Sequence, residues 1–168
     1  YGDTCAPSYA PFFDEAAEHL ASLEALLLKL NVANPDSEEL NAIFRAAHSI
    51  KGGAATFGFT DLTEVTHILE NLLDRIRKHE TQLRPEMVDV FLRAGDVLQD
   101  MLAAHRGQGS ADEAAIAQIT RELTQFSEDH QHTEVSQRIS VEIAAGDDFD
   151  TAALLRELTH QSEIIDYE

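Results

Sequence analysis

With 168 residues and 43% hydrophobic side chains, the chain can bury one ordinary core and leave room for a small addition. Its formal charge of −19 argues against a nucleic acid partner, because phosphate backbones are held by patches of Lys and Arg. Cys5 is the only cysteine, which excludes an internal disulfide and a cysteine-based zinc site and suits a cytoplasmic setting. No apolar run reaches the length needed for membrane insertion, and no leader-like segment is expected.

Five helices are predicted up to about residue 130. The first spans about residues 8–31, with Phe12, Phe13, Ala16, Leu20, Leu23, Leu27 and Leu30 at helical spacing. The segment NPD at 34–36 breaks it, and Asp36 with Glu39 forms a candidate capping box for the second helix. The second helix is expected to bury Leu40, Ile43, Phe44, Ala47 and Ala54 and to end at Gly58. Thr60 is the candidate N-cap of the third, whose stripe is Leu62, Val65, Leu69, Leu72 and Ile76. Pro85 suits the first turn of a fourth helix carrying Val88, Phe91, Val97, Leu98, Met101 and Leu102. After the loop RGQGS, Ser110 and Glu113 form a second candidate capping box, followed by Ile116, Ile119, Leu123 and Phe126 on one face.

Long amphipathic helices with short connections predict an all-α, antiparallel four-helix bundle, with the fifth helix packed outside it. The expected division is a helical bundle over 1–130 and a linker with a partial βαβ segment over 131–168. In that second part RISVEIAA alternates like a strand, a helix follows from about Phe149, and a short apolar run closes it. Such a unit cannot cover both faces of its strands, so it reads as the start of a second domain or relies on a partner to complete the sheet.

The second helix carries a contradiction. Gly52 and Gly53 sit side by side in it, each costing roughly 1 kcal/mol relative to alanine. At about 100° per residue, His48 lies about 80° from the stripe centred on Leu40, on its shoulder, where it touches both core and water. Gly52 follows one turn later, so the imidazole stands over a cleared surface open to another protein. On the third helix Glu70 lies at the margin of the stripe and His67 farther toward the polar side. If the two helices are antiparallel neighbours, Glu70 can face His48, fix its tautomer and steady the charge that develops on attack. Lys51 is placed to screen an incoming phosphoryl charge.

The stretch HSIKGGAATFGF, with LNAIFRAA before it and THILENLLD after it, resembles the histidine phosphotransfer (HPt) domain at the N-terminus of CheA-type chemotaxis histidine kinases. FFDEAAEHL and the five-helix layout fit as well, so the resemblance covers about residues 8–130. It implies that His48 is the phosphorylated histidine, Glu70 its hydrogen-bonding carboxylate, Lys51 and His67 polar neighbours, and Gly52 the small residue that leaves the site open. It further implies phosphorylation by a kinase ATP-binding domain in trans, and relay to an aspartate of a CheY- or CheB-type response regulator. The tail, RISVEIAAGD with LLRELTHQSEI, weakly resembles the opening of a regulator-docking domain. There is no phosphate-cradling Gly-rich loop, so no cofactor is expected in this chain. ATP and Mg are expected to belong to a separate kinase catalytic domain.

Two other classes compete. A carboxylate-bridged metal bundle needs two Glu-x-x-His pairs, whereas this chain has the reversed order, His67 to Glu70, once. A non-catalytic helical interaction domain would need none of the chemistry around His48.

Overall fold

The computed structural model describes residues 9–145. Five helices follow one another: α1 (Ala10–Lys29), α2 (Ser37–Phe57), α3 (Thr60–Arg77), α4 (Pro85–His105) and α5 (Glu113–Ala145). By contacts the chain separates into two compact units, residues 1–129 and 130–168. In the first, α1 packs on α2, α2 on α3, α3 on α4 and α4 back on α1, which closes a four-helix ring. The all-α bundle expected from the apolar stripes is what forms.

The core follows those stripes. Leu20, Leu23, Ile43, Ala47, Leu62, Leu69, Leu72, Met87, Phe91, Leu98 and Met101 are almost wholly withdrawn from water. Apart from Ala47, each of these side chains contributes about 1.5–3 kcal/mol by burial, so this set dominates the stability of the bundle. Ile119 and Leu123 of α5 are buried with them. Polar ties on the same side reinforce the docking: Arg93 of α4 forks onto both oxygens of Glu122, at 2.9 and 2.5 Å, and Arg75 of α3 donates to the Ser127 carbonyl at 2.9 Å. The Arg93 guanidinium holds the Glu122 carboxyl below the usual carboxylate range, as expected for a fork–fork pair.

The helix ends show where local rules held. Gly58 terminates α2 with φ of 79°, a left-handed turn that a Cβ would strain, and its N–H reaches back to the α2 carbonyls. Pro85 opens α4 after the extended Arg84. Asp36 caps α2, accepting from the Glu38 N–H at 2.9 Å. Glu39 does not complete the box; its carboxylate pairs with Lys29 of α1 at 3.4 Å. Thr60 is the first residue of α3 and Phe59 takes the cap position, with no side-chain cap. At α5 the cap is supplied by Asp112, which accepts from the Ala114 N–H at 3.0 Å, and not by the Ser110–Glu113 pair.

The strand expected from Arg138 onward is a correction: α5 continues as helix to Ala145. Val135, Ile139 and Ile143 recur at intervals of four, a helical period that competes with the local alternation, and no Gly or Pro interrupts residues 113–145. The helix and second strand expected after Phe149 lie outside the described residues.

The adjacent glycines of α2 turn out to serve different ends. A Cβ built on Gly53 would stand 2.6 and 2.8 Å from ring carbons of Phe12, which is buried in the core, so any side chain there would force that ring to shift. A Cβ on Gly52 would meet nothing within 4 Å. Gly53→Ala is therefore expected to lower stability by about 1 kcal/mol, because overpacking of roughly 1–3 kcal/mol outweighs the helix propensity gained. Gly52→Ala is expected to raise it by up to about 1 kcal/mol. Urea unfolding of the two variants checks the opposite signs.

Candidate phosphoacceptor site

The facing surfaces of α2 and α3 bring together three of the residues singled out in the sequence. Glu70 sits among the buried stripe of α3, with its side chain only 11% exposed. A carboxylate this far from water is costly unless both oxygens find partners. Both do: Oε1 accepts from the Lys51 ammonium at 2.9 Å, and Oε2 lies 3.2 Å from Nδ1 of His48. Lys51 and His48 are three residues apart on α2, so one turn of helix presents both to one carboxylate.

The hydrogen-bond chemistry then sets the tautomer of the imidazole. An ionised carboxylate only accepts, so Nδ1 carries the hydrogen and donates it, and Nε2 of a neutral ring keeps its lone pair. The His48 side chain is 61% exposed, in contrast to the carboxylate that holds it. The result is a histidine with one nitrogen anchored inward and a nucleophilic nitrogen available to solvent. Gly52, one turn on, is exposed and leaves the open surface expected of it.

Two expectations are placed more sharply by the structure. Lys51 is tied to Glu70 with its side chain only 23% exposed, so its charge first neutralises the carboxylate. His67 is exposed on α3, and its ring Nε2 lies 3.2 Å from the Asn71 side-chain nitrogen on its own helix. Among the described residues it makes no hydrogen bond to His48 or Glu70.

Two further residues were not singled out. Phe44, expected in the core, is half-buried, and its ring stacks on that of His48 with centroids 5.9 Å apart and planes 18° from parallel. The Arg77 guanidinium lies 3.9 Å from the Phe44 centroid. The signal available in the sequence was the four-residue spacing of Phe44 and His48, which places them on one helical face. Nothing local pointed to Arg77.

Among the described residues no group of three or more His, Cys, Asp or Glu side chains is arranged to hold a metal ion. None of their helices is long and apolar enough to cross a membrane.

Comparison with known proteins gives the family. A sequence model of the Hpt domain matches residues 9–129. The chain belongs to the Hpt domain family. Relatives of this Hpt domain include the chemotaxis protein CheA of Salmonella typhimurium, 50% identical over 119 residues, covering 71% of this chain and 18% of that protein. CheA of Rhizobium meliloti is 46% identical over 112 residues, covering 67% of this chain and 15% of that protein. CheA of Bacillus subtilis is 38% identical over 114 residues, covering 67% and 16%. The chain thus spans less than a fifth of the length of these curated relatives. Among solved structures, the phosphorylated P1 domain of CheA3 in complex with CheY6 from R. sphaeroides superposes with a TM-score of 0.60 at 25% identity, covering 70% of this chain and 95% of that one.

Proposed function

We propose that this Hpt domain is the phosphoacceptor and relay of a two-component chemotaxis kinase, with His48 as the accepting residue. The observation that carries the reading is the exposed imidazole held through Nδ1 by a buried carboxylate. Nε2 attacks the γ-phosphorus of ATP held with Mg by a separate kinase catalytic domain acting in trans within a dimer. The N–P bond forms, the bond to the bridging oxygen breaks, and ADP leaves. In the second step a carboxylate oxygen of an aspartate on a CheY- or CheB-type response regulator attacks the phosphorus. The N–P bond breaks, its electron pair returns to Nε2, and the imidazole keeps its Nδ1 hydrogen throughout. The phosphorylated, regulator-bound state of the P1 neighbour supports this order of events. The cytoplasm is where such partners meet.

Each residue has a role in that scheme. Glu70 orients the ring and offsets the positive charge that grows on it as Nε2 bonds to phosphorus. Lys51 pairs with Glu70 and keeps its carboxylate aimed, and its remaining charge favours an approaching phosphoryl group. Gly52 gives a partner's active site access, and His67 contributes a polar margin on α3.

The test is incubation with the catalytic region of a chemotaxis kinase and labelled ATP. Label on the wild-type protein should be lost in acid and survive base, as phosphohistidine does. His48→Gln should abolish labelling with little change in melting, because an exposed margin residue contributes little packing. Glu70→Ala should slow labelling by about 10²-fold, the low end for a lost orienting or acid–base partner. Label that persists in His48→Gln and maps to His67 overturns the assignment.

We also propose that the functional domain ends near residue 130. Among the described residues, the apolar stripes of α1–α4 with Ile119 and Leu123 form one buried core. A protein truncated after residue 130 is expected to unfold in one cooperative transition and to accept phosphate at the full-length rate. Calorimetry and the labelling assay check it; loss of cooperativity places the boundary farther on.

A further inference from the structure

One hydrogen bond does not fix a ring. The Nδ1 contact to Glu70, at 3.2 Å, restrains one edge of the His48 imidazole but holds the tilt of its plane only softly. An exposed side chain would use this freedom, and Nε2 would then sweep an arc instead of presenting its lone pair in one direction. In-line attack on phosphorus requires a narrow approach, so a second restraint has a rate to protect.

The second restraint is a stack. Phe44, one turn before His48 on α2, lies face to face with the imidazole in an offset arrangement, within the range at which aromatic rings attract. Phe44 is itself held from α3. The Arg77 guanidinium covers its ring at 3.9 Å, close enough for a cation–π contact. Arg77 is pinned in turn by an ion pair with Asp74, one turn earlier on α3. Lys78 also pairs with Asp74, at 2.8 Å; Lys78 foremost, and Arg77 with it, holds the Asp74 carboxyl below its ordinary range, so the anchor stays ionised. The order of contacts is Asp74, Arg77, Phe44, His48, and it runs from α3 back to α2.

We propose that Phe44 and Arg77 are positioning residues for the phosphoacceptor, fixing the plane of the His48 ring while Glu70 fixes its edge. Neither touches the phosphoryl group; both act through the imidazole. The proposal rests on His48 being the acceptor.

The experiment combines single-turnover labelling, at varied concentrations of the kinase catalytic region, with NMR of the His48 ring protons in the full chain. In the wild-type protein the Phe44 ring current should displace those protons from their free-histidine positions. Phe44→Leu keeps an apolar side chain of similar bulk but removes the stack. It should abolish the displacement and lower the saturating rate about 10-fold, with the half-saturating kinase concentration changed by less than about two-fold. Phe44→Tyr restores an aromatic face and should recover both. Arg77→Met, on the partly exposed outer side of the stack, should leave melting almost unchanged and lower the rate about three-fold. It should also weaken the ring-current displacement.

A Phe44→Leu protein that is labelled at the wild-type rate overturns the proposal. So does a Phe44→Tyr protein as slow as Phe44→Leu, which would make the position one of core volume alone. If Phe44→Leu does not fold, Arg77→Met decides: an unchanged rate with unchanged ring shifts overturns it. These outcomes are distinct from failure of the acceptor reading, which would show as wild-type protein that takes no label, or as label that survives His48→Gln.

Discussion

The site depends on one buried carboxylate. Glu70 lies where α2 and α3 press together, and a lone negative charge there would cost several kcal/mol in lost hydration. Its two oxygens are satisfied from two positions one turn apart on α2, so the cost is offset only if the two helices hold one register. A slide of one turn would leave the carboxylate facing Phe44 and Ala47, or Gly52 and Ala55, instead of His48 and Lys51. The electrostatic requirement and the packing of Leu69 against the core thus impose the same alignment. This is why the imidazole can be oriented without being enclosed.

That alignment allows one helix to have two unlike faces. Toward α1, the backbone at Gly53 approaches the Phe12 ring so closely that a methyl group has no room. Toward solvent, Gly52 has free space and no packing reason to be glycine. The pair costs helix propensity twice, and the structure accounts for the two losses separately. At Gly53 the loss is offset by closer packing of the bundle, which helps hold α2 rigid beneath the site. At Gly52 no contact offsets the loss, which suits the access to the imidazole proposed above.

Much of this was legible in the sequence because it follows helical periodicity. The stripes from Phe12 to Leu27 and from Leu62 to Ile76 are core, and His48 occupies the margin that the same geometry assigned it, while Glu70 is buried deeper than its place at the margin implied. The failures have physical causes. Ser110 lost its capping role to Asp112 because a cap is decided by the φ and ψ of one residue, which a pattern read over several turns does not resolve. The segment from Arg138 to Ala145 alternates over a few residues, yet continuity with the preceding turns of helix outweighs the alternation. Phe44 was read as core because apolar spacing alone does not distinguish a ring packed among aliphatic side chains from one held between a guanidinium and an imidazole. Arg77 is separated from it by more than thirty positions, and only the α2–α3 pairing brings the two together.

The same contrast explains why the site is built on helices and not in a cleft. An enzyme that encloses its substrate benefits from a concave pocket that excludes water. A histidine that must enter other proteins' active sites has the opposite requirement: it must project, yet remain ordered while projecting. Order in an exposed side chain cannot come from surrounding it, because every contact added on the outer side blocks a partner. It must come from beneath and from the flank. Glu70 meets the ring from the buried side of the groove, and Phe44 meets it from the preceding turn of its own helix. The supports for those two residues, Lys51 and Arg77, are themselves partly covered. The ordering energy is therefore placed on the protein side of the imidazole, and Nε2 remains open for the reaction.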